Sequence, residues 1–181
     1  AKARVFRAME RDFESYQKSV RMVMQEAQRG ALRNIHGPVS RLVRTGDEYT
    51  VAIEIALGAA MQQIVVGSEA DGKAAIGYLK RTGGGRATFL PLTSVRGNLL
   101  HEPNLSSMEG FVALAAELVA CDAKYEGIFR SLLGRIAIVE DIDCATVIAK
   151  RFGYKFRIVT LDGQVINAGG SFTGGSAAHS S

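Results

Sequence analysis

The chain has 181 residues, of which 47% are hydrophobic, and a formal net charge of +4. A chain of this size and composition can bury a core of its own, which excludes a disordered or fibrous protein. No apolar run approaches the ~18 residues needed to span a bilayer, so a membrane-spanning helix is also excluded. The two cysteines, Cys121 and Cys144, are too widely spaced for a metal motif and too few for a secreted disulfide framework, which favours a reducing cytoplasm.

Basic residues are concentrated at the start of the sequence. Residues 1–44 carry ten Lys/Arg against four Asp/Glu, a net of +6, whereas the remainder carries 12 against 14, a net of −2. This distribution is typical of a local attraction to polyanions, although an Arg-rich solvated helix face gives the same pattern. The chain begins without an initiator Met and already in a helical pattern, which predicts a fragment of a longer protein.

Residues 1–29 are predicted to form one helix that carries a heptad seam. Apolar residues recur at spacings of three and four, no Pro or Gly interrupts them, and Gly30 supplies a stop. We therefore predict a coiled-coil arm whose partner strand lies outside this sequence. The alternative is an amphipathic helix that packs on its own domain. The predicted seam residues are Phe6, Met9, Phe13, Tyr16, Val20, Val23 and Ala27.

After this helix the sequence repeats at an offset of 76 residues, which indicates a duplicated unit. The matching residues are Leu42, Val43, Tyr49, Leu57 and Gly58, which recur as Leu118, Val119, Tyr125, Leu133 and Gly134. Each copy continues with an apolar strand, a helix and a second strand. These are residues 64–66, 69–81 and 86–92 in the first copy, and residues 136–139, 143–152 and 155–161 in the second.

This alternation of helices and short β-branched runs predicts an α/β (α+β) fold with two similar small subdomains. We assign residues 30–92 to the first subdomain and residues 111–176 to the second. Residues 93–110, rich in Gly, Asn, Pro and Ser, are predicted to be the linker between them, and residues 177–181 a flexible tail.

The second copy ends in a hairpin signal and a run of glycines. Asp162 and Gly163 separate two apolar strands, a pattern typical of a tight β-turn. Four glycines then fall within the eight residues 169–176. Such a run is compatible with a flexible linker or with very close approach of two backbones.

The strongest signal for catalysis is an imperfect phosphate loop, residues 67–73, between a predicted strand and a predicted helix. Ala74 stands where the motif needs the hydroxyl that ligates magnesium, and Glu69 and Asp71 would place negative charge against the phosphates. We therefore interpret Ser68 as a helix N-cap. A small nucleotide-binding enzyme that uses Gly67 to Lys73 is the alternative function.

Other catalytic and metal-binding patterns are weaker. The three histidines lie far apart and lack the i, i+4 spacing of helical metal sites, and the glycine run misses the GxSxG spacing by one residue. Glu140, Asp141 and Asp143 are interpreted as caps of the helix that follows them. The sequence therefore predicts no catalytic residue, no metal and no cofactor in this chain.

Several separated motifs together resemble the hinge of structural maintenance of chromosomes (SMC) proteins. The resemblance is to the bacterial members of the family, which act in chromosome partition and condensation. They are residues 157–163 with the glycine run after them, Gly37, Pro38 and Val39 with Leu42, residues 54–58, and residues 85–92. These motifs agree with the family in order and spacing, and they cover nearly all of residues 30–176. The heptad helix stands where the family has its coil.

The resemblance implies a dimerisation module rather than an enzyme. In the family, two hinges join two coiled-coil arms in a ring or V around chromosomal DNA, and the ATPase head lies in another part of the protein. Opposite subdomains pair across the dimer, which implies interface positions at Gly169, Gly170, Gly174 and Gly175. The implied partners are a second copy and, for the full-length protein, kleisin-type and accessory subunits. The implied location is cytoplasmic and nucleoid-associated, with no membrane contact.

Hinges of this family also contact DNA weakly and without sequence preference. Some relatives carry a lysine run after the glycine motif, whereas this chain has Ala177, Ala178 and His179, which weakens the expectation there. A protein-binding platform whose dimerisation is incidental is a further interpretation. The candidate DNA-binding residues are Arg29, Arg33, Arg41, Arg44, Arg86, Lys155 and Arg157.

Overall fold

Helices and short strands alternate along the chain, as the hydrophobic pattern predicts. We describe a computed structural model in which residues 3–4 and 16–176 are placed. In chain order the elements are β1 (Ala3–Arg4), α1 (Lys18–Gln28), β2 (Ile35–Pro38), α2 (Val39–Leu42), β3 (Arg44–Gly46), α3 (Thr50–Leu57), β4 (Ile64–Val66), α4 (Glu69–Thr82), β5 (Phe89–Pro91), β6 (Phe111–Leu114), β7 (Val119–Ala120), α5 (Glu126–Leu133), β8 (Ile136–Val139), α6 (Ile142–Arg151), β9 (Arg157–Thr160), β10 (Val165–Ile166) and β11 (Phe172–Thr173).

The two copies of the sequence repeat fold in the same way. The first forms a sheet of order β2-β4-β5, which we call sheet 1, and the second forms β6-β8-β9 within a longer sheet, which we call sheet 2. In each copy an antiparallel pair with one irregularity is followed by a parallel pair, and a helix, α4 or α6, connects the parallel strands. The predicted mixed fold class is confirmed.

Sheet 2 is longer than sheet 1 by two strands. Its order is β11-β10-β9-β8-β6, and β10 pairs antiparallel with both β9 and β11. The turn between β9 and β10 is closed by hydrogen bonds from Gly163 N to Thr160 O (2.9 Å) and from Thr160 N to Gln164 O (2.8 Å). The predicted hairpin is confirmed, and the glycine run contains a strand rather than serving only as a linker.

A third small sheet, of order β1-β3-β7, joins the two subdomains. Within it Arg44 lies opposite Ala120, which is its own equivalent 76 residues later. A strand pair in which a residue faces its repeat equivalent has a local two-fold axis, so the subdomains are related by pseudo-two-fold symmetry. The side-chain hydroxyl of Thr45 also donates to Leu118 O across this boundary (2.7 Å).

The hydrophobic core is continuous across the same boundary. A central cluster combines Ile53 of α3 with Ile128 and Leu133 of α5 and with Ile138 and Val159 of sheet 2. Two further clusters lie on either side, one between α6 and sheet 2 and the other between α1, α4 and sheet 1. Packing, rather than a tether, therefore holds the two subdomains together.

Close contacts at two glycines also join the subdomains, each glycine lying against a helix of the opposite subdomain. A Cβ at Gly163, in the turn after β9, would lie 3.1 Å from Val51 Cγ1 and 3.2 Å from Ile55 Cγ1 on α3. In the segment after β5, a Cβ at Gly97 would meet the backbone of Ser131 on α5, the residue 76 positions beyond Ile55. The pseudo-symmetry therefore produces two reciprocal contacts, which we call the clasp.

The segment predicted to be a linker is packed against the second subdomain. Leu100 N donates to Gly134 O (2.8 Å), and Leu105 is buried in the cluster between α6 and sheet 2. Residues 93–110 are thus largely irregular in backbone but fixed in place, because the clasp and this hydrogen bond hold them on α5. The predicted flexible tail, residues 177–181, lies outside the described residues.

The helix predicted over residues 1–29 is wrong at its start. Ala3 and Arg4 pair with β3 as a strand, and α1 begins only at Lys18, after Tyr16 and Gln17. The seam positions Phe6, Met9 and Phe13 lie outside the described residues.

The seam residues that are described pack on the chain's own first subdomain. Tyr16, Val20 and Val23 are buried in the cluster with α4 and sheet 1, and Ala27 is half-buried. Spacings of three and four produce one apolar face whether the partner is a second coil strand or the helix's own domain. For α1 the alternative interpretation, an amphipathic helix on its own domain, is therefore correct.

Candidate dimer interface

The glycine run forms the free edge of sheet 2. Phe172 of β11 lies opposite Ile166 of β10, and residues 171–176 are all exposed. Asn167 N donates to Ser171 O (2.7 Å) and Asn167 Nδ2 to Ser171 Oγ (3.1 Å), which closes the turn that contains Gly169 and Gly170. Over the residues that the structure describes, β11 therefore exposes to solvent a strand edge with no partner.

The fold of a single chain already explains why glycine stands at each of the four positions. Gly169, Gly170 and Gly175 have φ angles of +92°, +105° and +130°, which favour a residue without a side chain. A Cβ at Gly174 would meet Oε1 of Gln164, whose amide accepts from Gly175 N (2.8 Å) and donates to Gly175 O (3.0 Å). The structure thus brings the four together at one edge, and their role in an interface stays a prediction.

The outer edge of β5 is the complementary feature in sheet 1. Ile64 N donates to Thr88 O and Leu92 N donates to Val66 O, both at 2.9 Å. The backbone groups of Thr88 and Leu92, which flank β5, therefore face toward β4. By the alternation of a strand, the backbone groups of Phe89 face outward. The equivalent edge of β9 is covered by β10, whereas β5 has only β4 beside it in the described part of the chain.

A groove of about 400 Å³ lies near this edge, between α4 and the segment that leads into β5. Its floor is apolar, and Ile76, with 54% of its surface exposed, is the most accessible aliphatic side chain of the floor. The cations Lys80 and Arg86 line it, and no acidic residue does. The lining residues are Ile76, Leu79, Lys80, Gly85, Arg86 and Ala87.

The basic candidates for DNA contact differ in their surroundings. Arg29 makes an ion pair with Glu26 (2.7 Å), and the guanidinium of Arg41 lies 5.7 Å from the centre of the Tyr16 ring. The others that are exposed stand on separate segments of the chain, namely Arg33, Arg44, Arg86 and Lys155.

Arg157 is a structural residue rather than a surface cation. Its Nη1 donates to Ala56 O (3.0 Å) and its Nη2 to Ile55 O (3.5 Å), so it caps the last carbonyls of α3 from across the subdomain boundary. Burial lowers the pKa of Arg157 from its usual value. These contacts favour a structural role, so we expect Arg157 to contribute less to DNA binding than the fully exposed candidates.

The imperfect phosphate loop is closed as a helix N-cap. Ser68 Oγ accepts from Asp71 N (3.4 Å), and the Asp71 carboxylate accepts from Ser68 Oγ (2.8 Å) and from Asn34 Nδ2 (3.2 Å). The carboxylate therefore occupies the positive end of α4, where a phosphate would bind. This arrangement supports the N-cap interpretation and disfavours a nucleotide site at this loop.

The other candidate polar groups have structural partners as well. Asp141 caps α6 by accepting from Cys144 N (2.8 Å), and this hydrogen bond lowers the pKa of the Asp141 carboxyl. His36 Nδ1 is 2.8 Å from the Tyr125 hydroxyl, and burial lowers the pKa of His36. Over residues 3–4 and 16–176, no cluster of three or more potential metal ligands is found, and no helix is long and apolar enough to cross a membrane.

Comparison with known proteins agrees with this geometry. Residues 32–149 match the family model of the SMC proteins flexible hinge domain. The chromosome partition protein Smc of Bacillus subtilis is 40% identical over 178 residues, and that of Desulfitobacterium hafniense is 38% identical over 179 residues. In both comparisons 97% of this chain is covered, and the chain spans only 15% of the relative's length.

Solved structures give the same result. The hinge domain of Geobacillus stearothermophilus SMC, crystallised as an asymmetric dimer, matches with a TM-score of 0.87 and 42% identity, over 95% of this chain and 71% of that one. The Pyrococcus furiosus SMC hinge domain matches with a TM-score of 0.75 and 27% identity, over 93% and 85%. From its sequence motifs, its duplicated fold and these matches, the chain belongs to the SMC hinge domain family.

Proposed function

We propose that this chain is the dimerisation hinge of an SMC protein and that two copies join through their sheet edges. The observation that carries the proposal is a difference between the two sheets: β10 pairs with β9, and β11 with β10, whereas among the described residues no strand pairs with the outer edge of β5, the equivalent of β9. In the dimer, β11 of one copy adds to β5 of the other and completes sheet 1. The join connects two coiled-coil arms in a ring or V that organises, condenses and segregates chromosomal DNA.

The arrangement favours a closed homodimer. Each copy has one edge of each kind, β11 in the second subdomain and β5 in the first, so a two-fold rotation makes both junctions at once and leaves neither edge open. The related Geobacillus stearothermophilus hinge domain was crystallised as an asymmetric dimer, which supports self-association, while the two-fold arrangement proposed here rests on the two edges alone.

We also propose that this chain is not catalytic. The carboxylate of Asp71 at the start of α4 supports this, since it disfavours a phosphate there. ATP hydrolysis would belong to a head domain elsewhere in the full-length protein. That protein would act in the cytoplasm on the nucleoid, with kleisin-type and accessory subunits.

The oligomeric state of two matched glycine variants tests the dimer. Gly169 and Gly30 have similar φ angles, +92° and +82°, and a Cβ at either would have no atom within 4 Å. Gly169→Glu and Gly30→Glu therefore carry similar backbone strain, about 1 kcal/mol. By light scattering, we expect twice the mass of one chain for wild type and Gly30→Glu, and the mass of one chain for Gly169→Glu.

Two results would count against the proposal in different ways. A wild-type chain that stays single at micromolar concentration would remove the dimer itself. A folded Gly169→Glu variant that remains dimeric would remove Gly169 from the interface.

We further propose weak DNA binding without sequence preference through exposed cations such as Arg33. We expect Arg33→Gln to weaken binding to two unrelated short duplexes equally and to reduce the salt slope by about one. Arg157→Gln should change DNA affinity less than Arg33→Gln does, while it lowers the free energy of unfolding by about 1–2 kcal/mol, because the α3 carbonyls lose their donor. Fluorescence anisotropy at two salt concentrations measures the affinity, and binding that is insensitive to salt would contradict the phosphate contacts.

A further inference from the structure

We propose that Phe172 of one copy inserts into the groove between α4 and residues 85–87 of the partner copy and anchors each junction of the dimer. This proposal rests on the proposed dimerisation, and it identifies the side chain and the groove that would hold the dimer together. Strand addition alone supplies backbone hydrogen bonds, whereas a side chain in a groove also fixes the register of the two strands.

Phe172 is an unusual residue at its position. It is 56% exposed, although its neighbours along the run are glycines and hydroxyl residues. It lies opposite Ile166, which is buried against α6, and directly opposed residues of an antiparallel pair project from the same face of the sheet. Phe172 therefore projects from the α6 face, at the outer edge of sheet 2.

The groove opens on the corresponding face of sheet 1. Ala87 and Phe89 pack against the cluster that contains Leu79 of α4, whereas Leu90 packs on the other face, in the central cluster. The residues that flank the free edge of β5 thus share the α4 face with the groove. The exposed surface of Ile76 lies in this groove, where an apolar partner would cover it.

Topology brings the two faces together. Both parallel pairs are βαβ units. Such crossovers are right-handed in nearly all proteins, which assigns β5 and β9 equivalent places beside α4 and α6. A half-turn about the strand axis would bring the outer edge of β5 against β11 as a parallel strand, with α4 and α6 on opposite faces. The proposed dimer instead uses a half-turn about the normal of the sheet. That rotation makes β5 antiparallel to β11 and keeps α4 and α6 on one face, so Phe172 emerges on the side where the groove opens.

The chemistry of the groove suits an aromatic side chain. Its floor is aliphatic, and Lys80 and Arg86 can each approach the face of a bound ring. Aromatic residues in such pockets commonly contribute most of the binding energy of an interface. A second copy is the favoured occupant because the groove adjoins the edge of β5 that β11 would cover.

We expect Phe172→Ala to weaken the dimer without changing the fold. Loss of one anchor should weaken the affinity at that junction by about 30-fold. Loss of both anchors should therefore raise the dimer dissociation constant by about a thousandfold. Val147→Ala is the matched control, because Val147 is 62% exposed on α6 and lies outside the proposed junction. Sedimentation over a concentration series measures the constant, and circular dichroism checks the fold.

A charge exchange tests the groove itself. Phe172→Lys should dissociate the dimer, because the lysine would meet Lys80 and Arg86. Ile76→Glu should weaken it, because the ring of Phe172 would then lie against a carboxylate held by Lys80 and Arg86 instead of an aliphatic side chain. The double variant Phe172→Lys with Ile76→Glu should recover at least tenfold in affinity over either single variant, since each junction then pairs opposite charges.

The outcomes separate this inference from the proposed function. Phe172→Ala and Phe172→Lys variants that dimerise like wild type would overturn the anchor, while a monomeric Gly169→Glu would leave the dimer proposal standing. If both Phe172 variants dissociate but the double variant recovers nothing, the groove assignment is overturned. A wild-type chain without self-association would remove both proposals.

Discussion

Gly97→Ala is expected to lower the free energy of unfolding by about 3 kcal/mol, a large effect for the addition of one methyl group. A Cβ there would overlap the backbone of Ser131 and lie 2.6 Å from the carbonyl carbon of Arg130. Backbone atoms within α5 cannot move aside as a side-chain end could, so the clasp must open or the helix must shift. Urea unfolding followed by circular dichroism, at one fixed protein concentration, measures the change.

Gly77→Ala is the matched control for this substitution. Gly77 lies within α4, and a Cβ there would meet only the flexible end of Arg81, at 3.4 Å. Alanine has the higher helix propensity, so this variant should gain about 0.5–1 kcal/mol. Equal stabilities for the two alanine variants would show that the segment after β5 does not rest on α5 as described.

Ile53→Ala should destabilise both subdomains together, by about 3–4 kcal/mol. Ile53 is fully buried on α3 of the first subdomain, but the cluster that surrounds it includes side chains of α5 and of sheet 2. We therefore expect hydrogen exchange to report the same loss of protection in β4 and in β8, with a single unfolding transition.

Val147→Ala removes the same kind of aliphatic side chain from an exposed position and should change stability by less than about 0.5 kcal/mol. Two separate transitions for Ile53→Ala, with β8 still protected after β4 has opened, would contradict a core shared by the subdomains.

Local signals in the sequence predicted much of the fold. The apolar runs at β4 and β8, the turn at Asp162 and Gly163, and the N-caps Ser68 and Asp141 all appear where the pattern placed them. Each of these depends on a few neighbouring residues, whose backbone preferences and hydrogen bonds are set within one turn of chain. The 76-residue offset revealed the duplication for the same reason, since equal local sequences fold alike.

The features that depended on distant packing were not predictable in this way. The seam pattern of α1 could not distinguish a coil partner from the first subdomain, because both bury the same stripe. Arg157 looked like a surface cation, since its acceptors at Ile55 and Ala56 lie about a hundred residues away in sequence. Residues 93–110 had the composition of a linker, but composition does not show that Gly97 fits against a helix backbone.

The groove and its proposed occupant were also missed, although one signal was present. Phe172 is a large apolar residue within a run of glycines and hydroxyl residues, where nothing in a flexible linker requires it. Ile76 gave no signal, because an exposed isoleucine on an amphipathic helix is ordinary in a sequence. Only the position of α4 beside the open edge of β5 distinguishes it.

In the proposed hinge, the clasp would transmit force between the two subdomains when the arms are pulled. Gly84, which follows α4, packs closely against Met22 of α1, since a Cβ there would lie 2.9 Å from the Met22 sulfur. Tension on α1 would therefore pass directly into the first subdomain. The clasp and the cap by Arg157 would then transmit that load to the second subdomain through rigid contacts. In the proposed dimer, each copy would behave under strain as one rigid body, and deformation would be confined to the short edge strands that join the two copies.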